Sequence, residues 1–276
     1  MKGTVWVIGA SSGLGLATAQ AFVRAGWQGI AGARSFDSGA QEPPPDEKEI
    51  RIHLDVTKDE DCAAFAREAL ALSPRVDALV YCAGLLVLGS CEETTSDEYA
   101  RVMNTNFLGM TRIVAHVLPV MRKQQQGRIA LFSSINGVLG VPFQSAYTAS
   151  KHAIEGYAEC LQMEVAAFGI SVCVVEPGDH QGGSQAYRLA AGAVRADSPY
   201  TAAYSSACAA IHHDEACGLR PDKLGDKVVR NVSRNRMRYR LIVAKPDQRL
   251  AVLLHTLLPR RRVLSILRGY YAKGRA

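Results

Sequence analysis

Gly3-Thr4-Val5-Trp6-Val7-Ile8-Gly9-Ala10-Ser11-Ser12-Gly13-Leu14-Gly15 runs an apolar stretch straight into a glycine-rich turn. Residues 4–8 are few and apolar, as in a buried strand. From Leu16 to Ala25 the pattern turns helical, and Gly26 stops it. A glycine motif set between a strand and a helix is placed to hold a dinucleotide. The glycines let the backbone approach a pyrophosphate, and the helix N-terminus offers N–H groups and a positive dipole end to the phosphates.

Outward from that unit the pattern repeats. Strand-like runs fall at about 4–8, 28–33, 50–54, 77–82, 128–133, 170–176 and 239–243. Helical stretches fall at about 14–25, 58–72, 96–123, 147–168 and 223–235. Such alternation implies parallel strands joined by right-handed crossovers, an α/β fold with a doubly wound parallel sheet. From Phe36 through Pro43-Pro44-Pro45 to Glu49 the chain reads as a polar surface loop. The expected organisation is one catalytic domain over 1–245, with a segment at 179–222 that shows no sheet pattern, and a C-terminal extension over 246–276.

Composition narrows the function classes. With 276 residues, 48% of them apolar, the chain can bury a full core. No apolar run reaches the roughly 20 residues of a membrane span, and residues 5–8 are too short for a signal segment. Seven cysteines are scattered without a C-x-x-C pair, as expected of reduced thiols in the cytoplasm. The net charge of +6 is concentrated at the end: residues 249–276 carry seven basic residues and no acid. Nucleic acid is not the expected partner, because aromatics do not interleave with these charges.

A second constellation carries the chemistry. Tyr147 and Lys151 stand four residues apart, on one helix face, with Ser134 thirteen residues before the tyrosine. A free phenol holds its proton to a pH of about 10, and a neighbouring ammonium is expected to lower that value toward working pH. Ser134 can then hold a substrate oxygen while Tyr147 exchanges the proton. At the end of the second strand the chain reads Ala33-Arg34-Ser35 with no acid before Asp37. An acid there would hold a ribose 2′-hydroxyl, whereas Arg34, with Ser11 and Ser35, suits a 2′-phosphate, so NADP(H) is the expected cofactor.

With these motifs the chain resembles the short-chain dehydrogenase/reductase family over about 3–245. Gly9-x-x-x-Gly13-x-Gly15 matches the family's cofactor turn, Leu54-Asp55-Val56 its adenine-side segment and Pro177-Gly178 the turn beside the nicotinamide. Asn106, which precedes Phe107-Leu108-Gly109, falls where the family keeps its catalytic asparagine; Asn104 does not share that spacing. Gly127-Arg128-Ile129 and Val141-Pro142-Phe143 resemble the hydroxysteroid and retinol dehydrogenase branch.

The resemblance implies a Rossmann-type fold and hydride transfer between NADP(H) and a ketone or secondary alcohol on a bulky apolar substrate. It implies a catalytic set of Asn106, Ser134, Tyr147 and Lys151, with Asn106 holding a relay water and Lys151 bonding the nicotinamide ribose. Cofactor contacts are expected from Gly9, Ser11, Ser12, Gly13, Leu14, Gly15, Arg34, Ser35, Asp55, Val56, Ala83, Gly84, Tyr147, Lys151, Pro177 and Gly178. It also implies a homodimer or homotetramer, and a substrate lid over 179–222 holding Tyr187, Tyr200 and Tyr204. A biosynthetic ketoreductase of polyketide or acyl substrates, and a nucleotide-sensing binding protein, stand as alternatives.

The chain departs from the family at three places. Ile8 replaces a threonine before the first glycine, and Tyr81-Cys82 replaces two asparagines, which puts a polar tie at the sheet centre in question. His180 and Gly182 replace the valine and threonine after Pro177-Gly178, which puts the nicotinamide contact in question. No metal is expected: Cys208, His212, His213 and Cys217 on one helix would not converge on an ion. The leucines 250, 253, 254, 257 and 258, followed by Arg260-Arg261-Arg262, form an amphipathic tail. Two roles stay open for it: packing on the body beside the substrate mouth, which is favoured, or weak contact with a membrane surface.

Overall fold

The computed structural model describes residues 2–36, 49–182, 188–191 and 197–272. β1 (Thr4–Ile8) is buried at every position because it is flanked on both sides: β2 (Gln28–Ala33) pairs with one edge and β4 (Ala78–Tyr81) with the other. β3 (Glu49–His53), β6 (Gly127–Phe132), β7 (Ile170–Pro177) and β9 (Arg240–Val243) complete a seven-stranded parallel sheet in the order β3-β2-β1-β4-β6-β7-β9. The chain leaves β3 at one side and re-enters as β4 on the other side of β1. That reversal opens a crevice at the carboxyl ends of the strands, where open α/β sheets bind ligands.

Alternate side chains divide between two faces, as the pleat requires. Trp6, Ile8, Leu79, Ile129 and Val174 pack under α2 (Asp59–Leu72), α4 (Gly109–Gln124) and α5 (Ser145–Val165). Val5, Val7, Val80, Ala130 and Val175 pack under α1 (Gly13–Arg24) and α7 (Pro221–Val232). Each face carries its own edge-to-face aromatic pair, Trp6–Phe65 on one and Phe22–Trp27 on the other, both with centroids 5.3 Å apart.

The expected helix over 96–123 is broken. α3 (Ser96–Met103), capped reciprocally by Thr95 and Glu98, runs into a π-helical turn, Asn104–Leu108, before α4 begins. The wider turn carries the Asn106 amide inward, a displacement that apolar periodicity cannot reveal.

The absence of a sheet pattern over 179–222 is corrected by a short strand, β8 (Arg188–Ala190), which pairs in parallel with β5 (Leu86–Leu88). Three residues are too few to show a period. α6 (Thr201–Ala216) fills most of the rest of that segment. Asp37, the triple proline and Tyr187 lie outside the described residues.

The tail forms α8 (Pro246–Leu257) and α9 (Arg260–Ala272). Val252 and Val263 are buried, and α9 lies against α6, with Tyr270 donating to Asp214 Oδ2 at 2.5 Å. Arg260, Arg261, Arg262 and Arg268 are exposed. α9 thus packs on the body, while Leu250, Leu257 and Ile266 stay exposed. Among the described residues no helix is long and apolar enough to cross a membrane.

Candidate active site

A cleft of about 680 Å³ opens at the carboxyl edge of the sheet, within the size range of cofactor and substrate sites. Its floor is the glycine turn. Gly9 has φ +85°, and a Cβ there would stand 2.5 Å from Ala83 N. A Cβ at Gly15 would fall on the Gly9 carbonyl oxygen. The turn and the end of β4 therefore touch backbone to backbone, which side chains would forbid. Ser12 precedes α1 in extended conformation without capping it by its side chain, leaving first-turn N–H groups to the cleft. Ser11, Ser12, Leu14 and Gly15 line the cleft with Gly9; Gly13, at φ +54°, does not line it and instead turns the chain into the helix.

The other expected contacts fall on the same walls. Arg34 and Ser35 are exposed at the end of β2, and Asp55 and Val56 follow β3. Burial pushes the Asp55 carboxyl up, but hydrogen bonds from Thr57 Oγ1 (2.7 Å) and Thr57 N (3.0 Å) outweigh it, with Arg34 adding its charge, and the carboxyl lies below its usual range. Ala83 and Gly84 border the middle of the cleft, and Pro177 and Gly178 close its far side.

α5 carries Tyr147 and Lys151 one turn apart into this cleft, and Ser134 reaches it from the end of β6. Ser134 Oγ accepts from Asn136 N at 3.2 Å and donates to Pro177 O at 3.4 Å, beside the Tyr147 phenol in the cleft wall. Lys151 is buried, its Nζ donating to Phe132 O at 2.7 Å and standing 5.3 Å from the Tyr147 ring centre.

The expected acidification of the phenol is not what this geometry produces. Burial pushes Tyr147 up to about 12, and the carboxylates of Glu215 and Asp179 push the same way, against the pull of the Ser134 hydroxyl. Burial brings Lys151 down to about 8. Burial thus shifts both groups toward their neutral forms, leaving the phenol protonated and the ammonium charged below about pH 8.

Asn106 is fully buried behind the wall, and Asn104 and Thr105 line the cleft in its place. Its amide accepts from Leu85 N (2.6 Å) and donates to Leu85 O (3.0 Å) and Ser150 Oγ (2.9 Å). It thereby ties the start of β5 to α5.

The three departures have structural answers. Ile8 is wholly buried, and its carbonyl takes the Cys82 N–H at 2.8 Å. Tyr81 reaches across the sheet face to donate to Thr105 O at 2.6 Å, supplying a polar tie to the π-helical turn. His180 lines the cleft with Nδ1 2.8 Å from Gly178 O, while Gly182 adopts φ +63°.

Sequence reasoning missed one wall. Asp179 after Gly178, Asp214 and Glu215 on α6, and Tyr271 on α9 also line the cleft. The position of Asp179 beside an identified motif was the available signal; α6 offered none. In the same helix Cys217 Sγ stands 3.9 Å from His213 Nε2, and no cluster of three or more metal-ligating side chains occurs among the described residues.

Comparison with known proteins follows this geometry. The family profile described as short chain dehydrogenase matches residues 3–189. A 3-ketodihydrosphingosine reductase of Bacteroides thetaiotaomicron is 33% identical over 269 residues, covering 97% of each chain. Dehydrogenase/reductase SDR family member 7B of Xenopus tropicalis is 32% identical over 266 residues, 92% of this chain and 81% of that one. The crystal structure of a short-chain dehydrogenase from Streptomyces avermitilis is similar with a TM-score of 0.81 and 29% identity, over 96% of this chain and 98% of that one. An alcohol dehydrogenase from Thermococcus sibiricus, complexed with 5-hydroxy-NADP, shares the fold with a TM-score of 0.69 at 20% identity, over 88% and 96% of the two chains.

Proposed function

The chain belongs to the short-chain dehydrogenase family, and from that premise we propose that it interconverts a ketone and a secondary alcohol on a bulky apolar substrate, with NADP(H) as hydride carrier. The observation that carries this reading is the convergence of Ser134, Tyr147 and Lys151 in the wall of the cleft whose floor is the glycine turn. The turn fits a dinucleotide, because Cβ atoms at Gly9 and Gly15 would collide with the Ala83 and Gly9 backbone and break the tight turn that leaves room for a pyrophosphate. The bound cofactor would supply the hydride. Ser11, Ser12 and the α1 N-terminus would hold its pyrophosphate, and Arg34 a 2′-phosphate.

The protein's own part is proton handling. Tyr147 Oη, protonated at neutral pH, would give its proton to the carbonyl oxygen as Ser134 Oγ–H steadies that oxygen. Lys151, held by Phe132 O, would support the phenolate left behind and bond the cofactor's ribose. Asn106 would act indirectly, by fixing the α5 backbone at Ser150 and the Leu85 end of the cleft.

A linear substrate is favoured over a fused ring system. The Bacteroides relative, matched over almost its full length, is named for reduction of 3-ketodihydrosphingosine. The test is oxidation of NADPH, followed by absorbance, across long-chain ketones, steroids, retinals and small ketones. Turnover of at least one apolar class, with kcat/KM for NADPH above that for NADH, is expected. An NADH preference would overturn the cofactor assignment, and no turnover with either cofactor would overturn the reading.

A further inference from the structure

Large apolar side chains left in water concentrate on one part of the molecule. Of the nine that are exposed among the described residues, five lie on the tail: Leu250, Leu253 and Leu257 of α8, and Leu264 and Ile266 of α9. Scattered singly they would need no explanation, but gathered together they mark a surface that meets a partner. On α8 the three leucines recur at i, i+3 and i+7, along one face of the helix. Val252, on another face, is buried and carries the packing.

The charges around these leucines have a single sign. Arg249, Arg260, Arg261, Arg262 and Arg268 are exposed, and residues 249–276 contain no acid. Arginines of the body pair with carboxylates, Arg24 with Asp226, Arg112 with Asp59 and Arg240 with Glu176 among them. None of the five tail arginines forms an ion pair among the described residues. Guanidiniums beside an apolar stripe suit lipid phosphates and acyl chains at once. A second copy of the chain would set arginine against arginine, and a nucleic acid would leave the leucines in water.

The same part of the chain borders a way into the cleft. An apolar annex of about 380 Å³ is lined by Phe143 from the loop before α5, Ala203 and Ala207 from α6, and Leu264 and Leu267 from α9. Leu264 is also half exposed, so the annex meets the surface on α9. It shares Val141 and Tyr271 with the main cleft, so the two compartments are continuous. We propose that α8 and α9 dock on an anionic lipid bilayer, with the leucine stripe in the headgroup boundary and the arginines against lipid phosphates. The annex then opens toward the acyl chains. Docking stands on the tail alone, whereas passage of an apolar ketone from the bilayer through the annex rests on the ketone-reductase reading.

The experiment is co-sedimentation of the full chain with phosphatidylcholine vesicles, with and without phosphatidylglycerol. Partition should be at least tenfold stronger onto the anionic vesicles and should weaken as salt rises. Arg260→Gln, Arg261→Gln and Arg262→Gln together should remove the preference for anionic lipid. Leu250→Ser, Leu253→Ser and Leu257→Ser together should weaken partition at least tenfold. NADPH binding by fluorescence reports that each variant folds. No partition, or equal partition onto both kinds of vesicle, overturns the proposal. Vesicle binding that the leucine substitutions leave intact overturns it too, since charge alone would then hold the surface. A dimer that the leucine variant abolishes, without vesicle binding, would make a second copy the occupant instead. Ala203→Trp, which fills the annex, should cut turnover of a vesicle-borne ketone at least tenfold while sedimentation stays as in the parent. Undiminished turnover overturns the annex as entrance. Vesicle binding with no turnover of any ketone overturns the functional reading and leaves the docking in place.

Discussion

Lys151 Nζ stands 5.3 Å from the centre of the Tyr147 ring, while the Phe132 carbonyl takes one of its protons at 2.7 Å. The lysine is thus anchored to the end of β6 and reaches the tyrosine over the face of its ring. Burial raises the phenol to about 12 and lowers the ammonium to about 8. The pair is arranged to keep a proton on tyrosine, as a donor to a carbonyl requires.

Tyr147→Phe removes that donor and leaves the buried side of the ring in place. The variant should fold and bind NADPH as the parent does, yet lose about 10²- to 10⁴-fold in kcat. Stopped-flow turnover with fluorescence titration of cofactor checks both halves; retained turnover would refute the proton path.

The pH profile follows from Lys151. With a value near 8, it carries its charge below that pH and loses it above. Tyr147 stays protonated through the whole range. Reduction measured as kcat/KM should therefore be level below about pH 8 and decline above it. Lys151→Arg, whose guanidinium keeps its charge, should remove the decline at that point.

Glu155 links pH to stability. Burial, with Glu176 nearby, raises its carboxyl from 4.5 to about 7 against a Ser133 hydrogen bond. The native state therefore holds a proton that the unfolded chain has released between those values. The stabilisation is complete below about pH 4.5 and is lost as pH rises through 7. Glu155→Gln should raise Tm at pH 8, by at most about 3 kcal/mol in unfolding free energy, and should leave it unchanged near pH 4.5. A gain of equal size at both pH values would contradict this.

Arg34→Glu should invert the cofactor preference, lowering the NADPH/NADH ratio of kcat/KM by at least tenfold. No change in the ratio would show that Arg34 is only a solvated charge.

The tail exposes Leu250, Leu257 and Ile266, each more than half accessible, near the run Arg260–Arg262. Co-sedimentation with anionic vesicles should drop when those three apolar residues become serine. Equal sedimentation of both forms would dismiss a lipid contact.

The sheet was legible because its strands are buried on both faces and read as unbroken apolar runs, Val5 to Ile8 and Val172 to Val175 among them. The cofactor floor was legible for a related reason, since only glycine survives where Gly15 meets the Gly9 carbonyl. Other features lacked a local cause. The π-helical turn at Asn106 is set by tertiary hydrogen bonds to Leu85 and Ser150. The shift on Tyr147 is set by burial and by carboxylates 32 and 68 residues away in sequence, Asp179 and Glu215, which no spacing rule connects to it. The β5–β8 pair joins two three-residue segments a hundred residues apart, too short for any periodicity.

Cys82, where the family places an amide, lies against Lys151 on the cleft floor, and burial raises its thiol far above the ordinary range. Cys91, Cys160 and Cys217 are exposed. Maleimide or iodoacetamide, which attack thiolates, should therefore tag the outer three and spare the inner one. A fluorophore can thus be attached to the outer surface while the thiol on the cleft floor remains unmodified.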